Sequence, residues 1–271
     1  MGGGHLEAII DCLKRKPLAE ADIIFLCEAD WNHARSKWRK FAAEVAYSLN
    51  MSFAYHGEFA KREPIGEPIT FRGNAILCSQ PLEAAYTIPI SNGWVNQRLR
   101  RMIGGPAGLV VRTHVRGKAI NVSVVHLNSR WDPAGRDRQM REYLGGLRNG
   151  PSIIGGDLNT TTVELYPRVV FLKSMLRLLM EPRRLSDPRK WETLLTRMEE
   201  AGFHIDGANA PGKRTFTYSR IVPRFMRPNL DWIAVRGFEA VAGSAATVPA
   251  QPSFFSRRIS DHDFIMCEVK I

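Results

Sequence analysis

The chain of 271 residues has no apolar run near the roughly 20 residues that a membrane-crossing helix needs. Its start, Met1-Gly2-Gly3-Gly4-His5, lacks the basic stretch and apolar core of a secretory leader, and Leu6 stands where an N-myristoylation motif wants Ser or Thr. Cysteine is scarce: Cys12, Cys27, Cys78 and Cys267 form no Cys-x-x-Cys pair, which argues against a thiolate zinc site. Free thiols in a reducing compartment are expected instead, and with them a cytoplasmic location. No internal repeat, low-complexity tract or linker divides the chain, so a single domain over residues 1–271 is expected. Acids are in short supply, 27 Asp and Glu against 38 Lys and Arg, and the net charge of +11 favours a polyanionic partner, nucleic acid or an anionic lipid surface. No obligate protein partner is evident.

The apolar pattern alternates between helical and strand-like periods. Leu6, Ile9, Ile10 and Leu13 have helical spacing within 5–16, stopped by Pro17. A continuous apolar run over 21–27 predicts a buried strand ending at Glu28; 35–50 reads as helix and 51–55 as strand. From Asn74 to His126 the texture is β, with strands over 75–79, 82–90, 109–115 and 119–126, the last two joined by the tight turn Arg116-Gly117-Lys118. A helix over 134–148 leads to a short buried strand over 152–157. Helices are expected over 167–180 and 191–201, and strands over 215–218, 230–235, 240–248 and 264–269. Two β-rich stretches with helices outside imply an α/β (α+β) fold, a four-layered sandwich of two mixed β-sheets flanked by helices.

Polar residues recur at one kind of position, the end of an apolar strand. Ile23-Ile24-Phe25-Leu26-Cys27 ends in Glu28, Val122-Ser123-Val124-Val125 in His126, and Ile153-Ile154-Gly155-Gly156 in Asp157-Leu158-Asn159. Asp231 begins a strand, and Asp261-His262 precedes Phe264-Ile265-Met266. Sheets gather active-site groups at such ends. Glu28 and Asp261 are hard oxygen ligands suited to Mg²⁺ or Mn²⁺. Asp157 can orient and deprotonate a water, and the Asn159 amide can donate to a phosphoryl oxygen. Gly155-Gly156 permits close backbone approach. His126 and His262 can donate to developing charge or protonate a leaving group, with Asp231 fixing a histidine tautomer. Together these are the parts of a phosphoester hydrolase.

The order Cys27-Glu28, Val125-His126-Leu127, Gly155-Gly156-Asp157-Leu158-Asn159, Leu230-Asp231-Trp232 and Ser260-Asp261-His262 resembles the endonuclease/exonuclease/phosphatase superfamily over roughly residues 20–271. The resemblance implies a DNase I-like two-sheet sandwich, a catalytic divalent metal, and in-line attack of water on phosphorus. It assigns metal binding to Glu28, water and phosphate handling to Asp157 and Asn159, support of His262 to Asp231, completion of the site to Asp261 and His262, and a place near the leaving group to His126. The chain departs from the family pattern at one point. The usual opening strand with a Trp-Asn or Tyr-Asn element is not seen ahead of the first helix, and Trp31-Asn32 falls after Glu28. Weakened metal binding and impaired activity are therefore expected.

Arg130 and Arg136 follow His126 closely and, with Asn74, are the expected substrate contacts. Arg98, Arg100 and Arg101 read as solvated loop charge, Arg138 belongs with Arg130 and Arg136 to the group lying where a phosphate-bearing substrate would enter, and Trp94 and Trp131 read as packing beneath loops. The segment from Pro167 to Arg184 is more apolar than a surface helix needs; core packing is its first reading, an interfacial or substrate-covering helix its second. Three functions stay open: a nuclease, favoured by charge; a sphingomyelinase-like phospholipase; and a catalytically silent module that keeps the fold.

Overall fold

Two families of strands, one on each side of a shared apolar layer, account for most of the β-structure in the computed structural model of this chain. The structure describes residues 5–61, 69–91, 105–129, 131–160, 176, 179–181, 183–217, 227–251 and 258–271. The first sheet is antiparallel in the order β1-β3-β2, from β1 (Ile23–Trp31), β2 (Ser52–Lys61) and β3 (Thr70–Cys78). The second is mixed and has five strands in sequence order: β4 (Leu82–Pro89), β5 (Ala107–Val115), β6 (Lys118–Val124), β7 (Ser152–Asp157) and β8 (Asp231–Arg236), with β6 and β7 parallel. Short ladders pair β9 (Glu239–Ala240) with β12 (Val269–Lys270), and β10 (Ala246–Val248) with β11 (Phe264–Met266).

Alternation divides the apolar residues among three cores. Ile76, Leu109, Val122, Val124, Ile153 and Ile233 meet between the sheets. Helices α1 (Leu6–Leu13) and α2 (Phe41–Leu49) bury Leu6, Ile9, Phe41 and Val45 on the outer face of the first sheet. Helices α3 (Pro133–Gly146) and α4 (Thr193–Glu200) bury Met140, Tyr143, Leu194 and Met198 on the outer face of the second. The result is the expected four-layered sandwich flanked by helices, with the correction that the first sheet is purely antiparallel among the described residues. Gly155 docks the sheets: a Cβ there would lie 2.2 Å from the Phe25 ring, so only glycine admits this aromatic from β1. Phe25 is itself only partly buried, so its packing contributes less than the roughly 1.5–3 kcal/mol of a fully buried ring.

Several elements end elsewhere than the sequence period implies. β1 does not stop at Glu28; it runs three residues further, through a register shift between Leu26 and Ala29 where Glu28 takes a left-handed φ of 57°. The helix expected over 35–50 begins only at Phe41, because Lys37 and Trp38 are both left-handed and break the helical path. The strand expected over 240–248 divides into β9 and β10 around Gly243, whose φ is 78°. The strand expected over 215–218 reduces to one bridge between Phe216 and His262, Tyr218 lying outside the described residues. Of the helix expected over 167–180, only Leu176, Leu179 and Met180 are described; all three are helical and exposed, against the core packing expected for them. The Arg116-Gly117 turn is as expected, both residues having positive φ.

Candidate active site

β7 and β8 run antiparallel and place Asp157 and Asp231 directly opposite each other at one end of the second sheet. His126 follows β6 at the same end, and His262 arrives just before β11, fixed by its bridge to Phe216. The local backbone depends on Gly156: its φ is 148°, and a Cβ there would meet the Val125 carbonyl at 2.1 Å, so only glycine lets β7 pass β6 this closely.

Asp157 sits between two imidazoles. Its Oδ2 lies 3.7 Å from His262 Nε2 and 3.8 Å from His126 Nε2, longer than a hydrogen bond, while its Oδ1 accepts from the Asn159 backbone N–H at 2.9 Å. Each imidazole is backed by a carboxylate on its far nitrogen. His262 Nδ1 is 2.8 Å from Asp231 Oδ2, and His126 Nδ1 is 3.3 Å from Glu58 Oε2. The Thr215 hydroxyl oxygen accepts from the Leu230 and Asp231 N–H groups, and Lys213 donates to the Asp231 carbonyl oxygen, so the base of this arrangement is itself tied down.

The charges follow from this arrangement. Burial opposes a charge on His262, but Asp231 and Asp157 outweigh it and raise its pKa to about 10. Burial likewise opposes the cation on His126, and the Glu58 hydrogen bond and charge outweigh it, raising the pKa to about 9. Asp157 is pushed up by burial and by Asp231, with the histidines pulling the other way. Asp231 is held low: burial opposes this, but His262 and Thr215 prevail. Both imidazoles are thus biased toward the protonated form around a carboxylate of raised basicity.

Glu28, Asp157, Asp231, Asp261, His126 and His262 come from five separated segments and converge here. The bulge that shifts the β1 register aims the Glu28 side chain toward the same end, where it pairs with Arg72 at 3.4 Å. Burial raises the Glu28 pKa, but His126, Arg72 and His262 more than offset it, leaving the carboxylate ionised. Arg35 forks onto Asp30 at 2.8 and 2.5 Å and feels the charges of Glu28 and Asp261. Asp157, Asp231 and His262 each offer an atom within 4.8 Å of the others, and this cluster is capable of coordinating a divalent metal. Within it His262 Nδ1 is hydrogen-bonded to Asp231 Oδ2 at 2.8 Å.

Other expected residues occupy different roles. Arg136 is fully buried and forks onto Glu192, immediately before α4, at 2.5 and 3.3 Å; a side chain with no accessible surface cannot meet substrate, so the expected contact is replaced by a helix-to-helix ion pair. Asn159 has φ 49°, and its amide donates to the Leu127 carbonyl oxygen at 2.8 Å, bracing the ends of β6 and β7. Asn74 is 0% exposed on the face of β3 that looks toward the second sheet, and neither end of its amide has a hydrogen-bond partner among the described residues. Arg130, Trp94, Arg98, Arg100 and Arg101 lie outside the described residues. Trp131 packs as expected, with the Arg138 guanidinium 5.9 Å from its ring.

Glu58 escaped the sequence reading. It is 3% exposed, and its second oxygen, Oε1, has no hydrogen-bond partner among the described residues. Glu58→Gln is expected to lower kcat about 10–100-fold, the usual cost of removing a group that orients a catalytic imidazole. Because Glu58 raises the His126 pKa, the alkaline limb of the rate profile should also move to lower pH. A profile unchanged in both respects would leave Glu58 a packing residue.

The fold and this site define a class before any single relative does: a sandwich carrying an Asp/Asp/His cluster suited to metal-dependent phosphoester hydrolysis. The sequence profile described as "Endonuclease/Exonuclease/phosphatase family" matches residues 3–262, and the chain belongs to that family. Among solved structures it is similar to an endonuclease/exonuclease/phosphatase from Beutenbergia cavernae, with TM-score 0.63 and 17% identity, covering 98% of this chain and 66% of that one. It is also similar to the human Nocturnin catalytic domain with bound sulfate, with TM-score 0.56 and 17% identity, covering 99% and 86%. A third is D. rerio TDP2 complexed with a single-strand DNA product, with TM-score 0.57 and 15% identity, covering 98% and 91%. At such identities the likeness is one of fold. The chain spans just under two thirds of the Beutenbergia protein's length. No curated protein sequence matches it.

Proposed function

We propose that this chain is a divalent-metal-dependent phosphodiesterase that acts on nucleic acid by in-line attack of water. One observation carries the reading: Asp157, a carboxylate of raised basicity, stands between two carboxylate-backed imidazolium groups. In this reading Asp157 Oδ2 takes a proton from the attacking water as its oxygen bonds to phosphorus. His262 donates to a phosphoryl oxygen, and His126 gives its proton to the departing oxygen as the opposite P–O bond breaks. Asn74 is wholly enclosed and its amide has no hydrogen-bond partner among the described residues, which suits a buried bridging water rather than direct contact with substrate.

Glu28 would hold Mg²⁺ or Mn²⁺ with Asp261. The residues fit, since Glu28 offers a hard oxygen, is held, against its burial, below the ordinary carboxylate range by His126 and Arg72, and among the described residues has a 3.4 Å ion pair with Arg72 to give up. When bound, such an ion neutralises charge on the phosphoryl oxygens. Glu28→Gln is expected to weaken Mg²⁺ binding at least about tenfold in calorimetry, alongside a loss of rate; unchanged affinity would remove Glu28 from the metal site.

Support for nucleic acid comes from the net charge of +11 and from the single-strand DNA product held by the similar TDP2. Support for a phospholipid comes from Leu176, Leu179 and Met180, exposed at helical spacing and followed by Arg183 and Arg184. No helix among the described residues is long and apolar enough to cross a membrane. Mg²⁺-dependent hydrolysis of single-stranded DNA, RNA, abasic DNA and sphingomyelin vesicles, run side by side, tests the choice. Turnover of sphingomyelin alone would overturn the nucleic-acid reading, and turnover of none would leave a binding module.

A further inference from the structure

Beyond the catalytic groups, the connection between β1 and α2 forms a closed loop. Trp31 and Lys40 bridge its base, and the Asn32 N–H donates to the Arg39 carbonyl oxygen at 3.0 Å. Within it Lys37 and Trp38 take φ values of 56° and 62°, a conformation disfavoured for residues with a Cβ. The effect is to turn the Trp38 indole outward, 40% exposed, where an apolar ring would ordinarily be tucked in. Tyr47 of α2, 91% exposed, stands with Trp38 at the rim of a cavity of about 510 Å³.

Trp31 lies three residues beyond Glu28 on β1; it stacks on Tyr55 with ring centroids 4.9 Å apart, and the Lys40 ammonium lies 5.4 Å from the Trp31 ring. Arg39 is matched by Glu44 and Glu7, so the surplus positive charge along this edge belongs to Lys37 and Lys40. Flat rings with cations between them suit a single-stranded nucleic acid, whose bases stack on any aromatic face and whose phosphates seek the ammonium groups. An anionic bilayer would favour a wholly basic rim, whereas Glu44 lines this cavity.

We propose that Trp38, Tyr47 and the Trp31–Lys40 edge bind unpaired nucleotides flanking the scissile phosphate of a single-stranded nucleic acid, an inference that rests on the phosphodiesterase reading above. The test is a labelled oligothymidylate titrated into the wild type and the double variant Trp38→Ala/Tyr47→Ala, with EDTA present so that binding is read without turnover. Affinity is expected to fall about tenfold or more, with the oligonucleotide KM rising to match and kcat/KM for a small aryl phosphodiester unchanged. Equal affinities would overturn the proposal, as would a variant that loses binding to phosphatidylserine vesicles while keeping the oligonucleotide. If the wild type fails to hydrolyse the small diester yet the double variant still loses oligonucleotide affinity, the catalytic reading falls and the nucleotide site stands.

Discussion

Asp157→Ala is expected to lower kcat/KM by about 10²–10⁴-fold, the range for removal of a positioned general base. Its Oδ2 faces both imidazoles across gaps too long for direct hydrogen bonds, so neither imidazole engages that oxygen in place of the water. The pH profile supplies a second reading. Burial raises the Asp157 pKa, so the carboxylate is protonated, and activity lost, at a pH above the ordinary carboxylate range as pH falls. The same shift has a sign for stability: a carboxyl whose folded pKa is raised favours folding at low pH and loses that contribution as pH rises through the folded value. Asp157→Asn should therefore be at least as stable as the wild type at neutral pH while nearly inactive. Undiminished turnover in either variant, measured against a small phosphodiester, would remove Asp157 from the mechanism.

The largest loss of stability is expected for Arg136→Ala, about 3–5 kcal/mol, because it strands a buried carboxylate. Glu192 has no exposed side-chain surface, and burial already lifts its pKa to about 7 with Arg136 in place. The guanidinium also donates to the Trp131 carbonyl oxygen, tying the start of α3 to the approach of α4. Replacing both partners by methionine should cost much less than the single change, since no unpaired charge then remains. Urea unfolding of the three variants measures this. A single variant as stable as the double would mean that the pair is solvated in solution.

These two residues show what the sequence makes legible. Asp157, Asp231, His126 and His262 stood out because each is polar at the end of an apolar strand, a position that backbone alternation makes conspicuous. Arg136 was misread because closeness to His126 in sequence suggested closeness in space; an intervening turn, capped by Asp132 on the Gly135 N–H, starts a helix that carries Arg136 to the outer face of the second sheet. Glu58 was hidden in His56-Gly57-Glu58-Phe59, where the shifted register between Gly57 and Phe59 breaks the two-residue period and nothing marks the inward side chain. The left-handed turn at Glu28 was hidden for the same reason: the apolar run suggests a strand end, and no glycine announces the bulge.

The half-open position of β1 has a thermodynamic consequence. Ile23 to Glu28 are all only partly buried, while Ile76, Leu77 and Cys78 on the neighbouring β3 are almost wholly enclosed. A strand held from one side among the described residues belongs to the units that open at the lowest free energy. The proposed catalytic centre is thus divided between a five-stranded sheet that supplies His126, Asp157 and Asp231 and a marginal strand that supplies Glu28. Any ligand that grips Glu28 closes that marginal unit, so its binding free energy is linked to local folding of β1. Slower amide exchange along β1 with rising ligand concentration would be the signature of that linkage, a form of ligand control that needs no second conformation of the rest of the molecule.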